Sequence, residues 1–336
     1  MHWKRVKASI SVLVFTGLWM MALSVGCSST ITPDSPERTF DVTYHIAIRE
    51  LPAEAREVYA WIPLPLADSH QTVGGYSIKG DWHHTILTEL EYANRFIRLD
   101  LSSAAADNEG ADLSVVFRIT RRSYRALGSR ELTTPVSQAG LARFLAPDRL
   151  IPVDGRIADE AHRVAGDLRD PLEQMHALYD HIVESVVYDK SGEGWGRGDA
   201  LYVCDKRTGN CTDFHSLFIG EARALGIPAR FVMGLPLPPG VSEGEISGYH
   251  CWAEFYIDGH GWIPIDASEA HRNPKHKEAL FGGLDANRVA FTIGRDIQIP
   301  EASAGLLNYV IYPHVEIDGR PHGTINTQFS FSEVRS

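Results

Sequence analysis

The chain has 336 residues, 44% of them hydrophobic and 22% charged. That composition excludes a disordered or collagen-like chain, and at roughly 150 residues per domain the length predicts about two domains. The balance of 32 basic against 43 acidic residues gives a net charge of −11; with no basic cluster beyond the amino terminus, nucleic acid is not an expected partner, and four cysteines are too few for a disulfide-built scaffold.

Lys4, Arg5 and Lys7 open the chain, and residues 8–26 carry no charge. A basic start followed by an apolar run reads as a signal peptide over residues 1–26. The run is also long enough to span a bilayer, so an uncleaved anchor is the alternative. The stretch Leu23-Ser24-Val25-Gly26-Cys27-Ser28-Ser29 resembles a bacterial lipoprotein box, which implies lipidation at Cys27. It departs from that pattern in one place, with Ser24 where leucine is usual and Leu23 one residue earlier. Every one of these readings exports the protein. The expectation is a lipoprotein of the bacterial cell envelope, membrane-anchored on the periplasmic face or periplasmic, with residues 27–38 as a polar tether.

Residues 39–130 read as strands. TFDVTYHIAI places Phe40, Val42, Tyr44, Ile46 and Ile48 on one face, a period of two. VYAWIPLPL closes on Pro63 and Pro65, which suits an edge or a strand end. NRFIRLDL and ADLSVVFRIT are two further runs. Four or more strands without a helical pattern predict a small N-terminal β-sandwich.

Residues 135–300 read as helices followed by an antiparallel sheet, an α+β arrangement. A weak amphipathic helix spans 156–168. A stronger one follows Asp170, a cap, and Pro171 in the first helical position, with Leu172, Met175, Tyr179, Ile182, Val183 and Val186 at helical spacing. After the glycine-rich loop GEGWGRGD, Cys211 precedes a helix over 212–225 whose Phe214, Leu217, Phe218, Ala222 and Leu225 share one side. Gly226 and Pro228 end it. ARFVMGL is a short strand, and YHCWAEFYI and GWIPIDA flank a hairpin turn at Asp258–Gly261. The late strands of residues 301–336 are expected to pack on this core.

The chemistry gathers in three places. Cys211 sits where a loop meets a helix, and the unpaired N–H groups there favour a thiolate. A thiolate nucleophile needs an imidazole partner, and His250 starts the strand after the helical layer. Asp266, on the next strand, can hold the imidazole. If residues 258–260 form a three-residue loop, Asp266 faces Trp252 and lies diagonal to His250 on one side of the sheet. A two- or four-residue loop would turn Asp266 to the other face.

The segments GNCTDFHSLFIGEARALGIPARFVMGLP and GYHCWAEFYIDGHGWIPIDAS resemble the transglutaminase-like core, itself similar to the papain-like cysteine enzymes. The family's marks are a Gly-x-Cys turn opening a helix, a His-x-Trp strand and an aspartate on the following strand. Here they are Gly209-Asn210-Cys211, His250-Cys251-Trp252 and Asp266. The resemblance covers roughly residues 150–275 and extends more loosely to about 296; VYAWIPLP resembles the β-domain that precedes the core in bacterial members. It implies a papain-like α+β core and a Cys211–His250–Asp266 triad that forms a thioester from an amide of a protein or peptide. The acyl group then passes to water or to an amine, and hydrolysis is the favoured outcome. The alternative is a catalytically inactive envelope binding module that kept the fold.

The backbone N–H of Cys211 is a natural oxyanion donor. The family usually adds a side chain, and Trp195 and Tyr202 are the candidates; Trp252 reads as a wall of the cleft. Cys204 and Cys251 are left over and could pair in an oxidising envelope. By strand alternation Cys251 faces away from His250. No cofactor and no metal is called for: the cysteines and histidines lack metal-ligand spacing, and the glycine-rich loop lacks the Lys-Ser/Thr of a phosphate loop. Asp213 reads as serving the positive helix end.

Overall fold

The computed structural model describes residues 37–334, apart from 53, 81, 106–109 and 128–135. The signal segment and Cys27 lie outside the described residues. Among those residues, no helix is long and apolar enough to cross a membrane.

Two five-stranded antiparallel sheets and one four-stranded antiparallel sheet dominate the chain. The first sheet is built on Glu37–Ile48, whose Phe40, Val42, Tyr44, Ile46 and Ile48 are all buried. That is the alternation read from the sequence. This strand pairs on one side with Ala111–Arg122 and on the other with Ile325–Glu333. The second sheet runs Arg320–Pro321, His314–Ile317, Val58–Pro63, Arg95–Asp100, His84–Thr88.

The C-terminal strands therefore do not pack on the core as a separate block. They complete both N-terminal sheets: Tyr44 pairs with Phe329, and Ala60 with Val315. The reason is edge pairing. A long apolar strand with an open row of N–H and C=O groups needs a neighbour, and these segments supply it. Glu243–Ile246, an excursion from the middle of the core sequence, joins the outer side of Ile325–Glu333. The strands Gln71–Lys79 and His84–Thr88 left no signal in the sequence. Both are mostly exposed, so no apolar alternation marks them. The first is also interrupted by a bulge between Val73 and Gly75.

The helical layer follows the expected boundaries closely. Helix Gly155–Ala165 is followed by Pro171–Ser185, where the Asp170 side chain accepts from the N–H groups of Leu172 and Glu173. The short helix Ala200–Lys206, capped by Asp199, was not expected within the loop region. Helix Cys211–Ala224 differs from its one-sided pattern: every residue from Cys211 to Arg223 is buried. It is the central rod of the domain. The strand His250–Ile257 lies on one side, and helices 155–165, 171–185 and 200–206 pack around the rest. Its polar residues must therefore find partners inside the protein.

Glu221 on that rod does not. It is fully buried, and neither carboxylate oxygen has a hydrogen-bond partner among the described residues. Burial, reinforced by the nearby Glu160 charge, pushes its carboxyl well above the usual range. A folded-state pKa above the unfolded one makes Glu221 cost stability as pH rises from about 4.3 toward the folded value, at about 1.4 kcal/mol per pH unit. In Glu221→Gln this dependence disappears. Urea titrations at a series of pH values should show the variant gaining on the wild type as pH rises, with the two converging in acid.

The four-stranded core sheet has the order Gly261–Ile265, His250–Ile257, Ala229–Pro236, Arg288–Ile293. Its hairpin pairs Ile257 with Gly261 and Ala253 with Ile265. Residues 258–260 thus form the three-residue loop that the triad reading requires.

Candidate active site

Each of the three residues is placed by a local device. Cys211 is the first residue of its helix. The Asn210 side chain accepts from the Thr212 N–H at 2.9 Å, and Asp213 Oδ2 accepts from the Asn210 N–H at 2.9 Å, a reciprocal cap. Asp213 thus serves the helix end, and it also accepts from the Gly196 and Gly198 N–H groups at 2.6 and 2.9 Å. This ties the glycine-rich loop to the nucleophile's turn. Two glycines make the packing possible. A Cβ on Gly209 would lie 2.5 Å from the Asp213 carboxylate. One on Gly198, whose φ is +62°, would lie 2.6 Å from Ser216 Oγ and Arg295 Nη1.

His250 opens its strand and pairs with Gly234, one position before Cys251, which pairs with Met233. Asp266 follows directly on Ile265, the last residue of the next strand, and caps helix Ala267–Arg272 through Oδ1, which accepts from the Glu269 N–H at 2.9 Å. The capping role and the orienting position coincide in one carboxylate. His250 Nε2 lies 2.6 Å from Asp266 Oδ2, and the imidazole and the Cys211 sulfur lie close enough to shift each other's titration. Cys211 is 3% exposed and the His250 side chain 13%, so both are largely shielded from solvent.

The electrostatics follow from this packing. Burial disfavours a charged His250, but the Asp266 carboxylate and the Cys211 sulfur outweigh it and push the imidazole up to about 9. The Cys211 thiol is held well below its usual value by a hydrogen bond from Cys251, against the effect of burial, and then by His250. Asp266 is fully buried; burial opposes its charge, yet His250 and Arg288 hold it well below the carboxylate range. Both shifts favour the charged forms of the sulfur and the imidazole.

Of the oxyanion candidates, Trp195 is half-buried in the loop held by Asp213, next to Gly196, where a Cβ would stand 3.4 Å from Asn210 Nδ2. Tyr202 lies on helix Ala200–Lys206 with its ring against Gly194. Trp252 is 1% exposed, and its indole N–H donates to Glu254 Oε1 at 3.3 Å. It packs with Val232, Leu284 and Ala290. Arg288 Cζ lies 6.0 Å from the centre of its ring. Cys204, Cys211 and Cys251 are all free thiols; Cys204 donates to Glu160 Oε2 at 3.2 Å.

Several site residues were not found by sequence reasoning. Arg288 Nη1 donates to Asp266 Oδ2 at 2.5 Å; twenty-two residues and a loop separate them, and no linear signal joins them. Tyr249 Oη accepts from Asn210 Nδ2 at 3.1 Å and from Thr212 Oγ1 at 3.3 Å, bracing the turn before Cys211. Tyr188 pairs with Gly209 in a short parallel bridge. His215 is fully buried, 3.5 Å from Asp266 Oδ1. Its i,i+4 spacing from Cys211 was a readable signal, since such residues share a helix face.

Residues 159–267 match the family model described as the Transglutaminase-like superfamily. A relative from Haemophilus influenzae, an uncharacterized protein, is 26% identical over 94% of this chain and 95% of its own length. Among solved structures, a candidate cysteine protease from Cytophaga hutchinsonii superposes with a TM-score of 0.51 at 19% identity, covering 90% of this chain and 99% of its own. At that identity the likeness establishes the shared fold. The periplasmic domain of TgpA from Pseudomonas aeruginosa is more distant, with a TM-score of 0.38 at 16% identity over 73% of this chain and 94% of its own.

Proposed function

We propose that this chain, whose residues 159–267 form a transglutaminase-like superfamily domain, is a cysteine-dependent amide hydrolase or acyltransferase that works through Cys211, His250 and Asp266. The observation that carries the reading is the imidazole of His250, held at Nε2 by Asp266 at 2.6 Å, together with Cys211 at a helix start, the two groups shifting each other's titration.

The Cys211 thiolate attacks the carbonyl carbon of an amide, and the oxygen takes the negative charge. The Cys211 backbone N–H, in the first helical turn, is the donor for that oxyanion; Trp195 or Tyr202 is the candidate for a second. His250 gives its proton to the nitrogen, the C–N bond breaks, and the amine departs. A thioester remains on Cys211. Neutral His250 then takes a proton from water as the water oxygen attacks. The C–S bond breaks, the acid leaves, and the thiolate–imidazolium pair is restored. Water is favoured over an amine acceptor because it is present in large excess. An envelope substrate fits the reading of Lys4, Arg5, Lys7 and the uncharged run to Gly26 as an export signal, with lipidation at Cys27 as the proposed anchor.

Purified mature protein is incubated with envelope proteins and a labelled amine, beside Cys211→Ala. Fragments that depend on Cys211, without label, are the expected result. Label incorporation dependent on Cys211 would move the reading to transamidation. Identical products with both proteins, or none with either, would leave the binding-module alternative in its place.

A further inference from the structure

The edge strand Arg288–Ile293 of the core sheet is held by the N-terminal sheets. On one side it pairs with Ala229–Pro236; its other side has no neighbouring strand among the described residues, and such an edge leaves N–H and C=O groups open. Two buried amide side chains close it. The Ala290 N–H donates to Gln71 Oε1 at 2.8 Å, and Gln71 Nε2 donates to the Ala290 carbonyl at 2.8 Å. Asn94 repeats the arrangement on Ile293: the Ile293 N–H donates to Oδ1 and Nδ2 donates to the Ile293 carbonyl, both at 2.8 Å. A carboxamide carries a donor and an acceptor like a peptide group, so each amide stands in for one residue of a further strand. Next to Arg288, Asn287 Oδ1 accepts from Arg38 Nη1 at 2.6 Å. Gln71 and Arg38 lie on strands of the first sheet, and Asn94 directly precedes a strand of the second.

Arg288 carries this support to the active site. Asp266 follows the strand at the opposite edge of the core sheet, with two strands between. Even so, Arg288 Nη1 donates to Asp266 Oδ2 at 2.5 Å, and the same oxygen lies 2.6 Å from His250 Nε2. The other oxygen accepts from Ser268 Oγ at 3.0 Å and from the Glu269 N–H at 2.9 Å. A carboxylate gripped at both oxygens is fixed in rotation, and so is the direction in which it holds the imidazole.

We propose that Arg288 is a positioning residue for the reaction and that the N-terminal sheets set it in place: Gln71 and Asn94 fix the edge strand, Arg288 holds Asp266, and Asp266 holds His250. This deepens the proposed function and rests on Asp266 orienting His250. It gives the N-terminal sheets a task in the chemistry, since Arg38, Gln71, Asn94 and Arg288 all lie outside residues 159–267. The groups facing Asp266 are His250, Arg288 and His215, which is 3.5 Å from Oδ1, with Tyr179, Tyr188 and Cys251 farther out. Those facing Arg288 are Asp266, Asp285 at 3.6 Å from Nε, and Glu269.

The test is the pH profile of Cys211-dependent fragment formation from envelope proteins, compared across variants that circular dichroism shows to be folded. Arg288→Gln removes a positive charge beside Asp266 and His250, and both then bind protons more readily. The profile should move to higher pH by about one unit, and its maximum should fall about ten- to hundredfold. Arg288→Lys keeps the charge, so its profile should stay near the wild-type position while its maximum falls. Gln71 is neutral and bonded only to backbone. Gln71→Ala should lower the rate about three- to tenfold in the wild type, yet less than about twofold in Arg288→Gln. Should Arg288→Gln not fold, the same comparison in Arg288→Lys decides. A profile that keeps its position in Arg288→Gln, or equal Gln71→Ala losses in both backgrounds, would overturn this proposal alone. Fragments that form equally with Cys211→Ala would overturn the proposed function and this inference with it.

Discussion

In His250→Ala, Cys211 should alkylate about a hundredfold more slowly near pH 6.5 than in the wild type. A buried thiol without a cation beside it titrates at or above about 8.5, so only about one molecule in a hundred is thiolate at that pH. In the wild type, the Cys251 donor and the adjacent imidazolium hold Cys211 well below that value, against its burial. The upper limb is equally specific. The His250 imidazolium is pushed up to about 9, and above that pH the proton for the leaving amine is gone. Amide turnover should therefore fall above about pH 9, while alkylation, which needs only the thiolate, stays high. The stability linked to the raised His250 value has the same sign: fully present below about 6.5, it is lost as pH rises toward 9. A His250→Ala rate within twofold of the wild type would remove the ion pair from the reading.

Asp266→Ala should lower folding stability by about 3–5 kcal/mol, the cost of leaving buried charges without their partner. The side chain is fully buried and accepts from His250, Arg288, Ser268 and the Glu269 backbone. Its loss strands a buried Arg288 and removes a helix cap at once. Asp266→Asn separates the two effects, because its carbonyl oxygen can keep the cap while the charge is lost. Turnover in Asp266→Asn should fall about 10³- to 10⁴-fold through the wrong imidazole tautomer. Asp266 is held below the carboxylate range, so its contribution is present above about 3.9 and lost as pH falls. Chemical denaturation in acid should accordingly bring wild type and Asp266→Asn together. A gap that persists there would assign the stability to packing.

The grouping of Cys211, His250 and Asp266 was legible because each member sits at a local event that sequence records. Cys211 follows a cap, His250 begins an apolar strand, and Asp266 ends the next one. The hairpin count joined the last two: with a three-residue loop, period-two geometry puts Asp266 and His250 on one face, and the observed pairing of Ile257 with Gly261 has that loop. The surrounding groups were harder to read. His215 looks like an ordinary core residue, and the Ala267 N–H reaches it only after the chain has returned through the hairpin. Arg288 is the same case: nothing near it in the chain marks it as a partner of Asp266.

The sequence by itself determined the local elements, the order of the three reactive residues and the faces they occupy, because caps, side-chain period and turn length act within a few residues. Tertiary structure alone decided which strands close the N-terminal sheets, that the Cys211 helix is buried on every side, and which groups surround the site. Those outcomes depend on hydrogen-bonding edges and buried charges finding partners across hundreds of residues, as Tyr44 finds Phe329, and no local pattern encodes that choice.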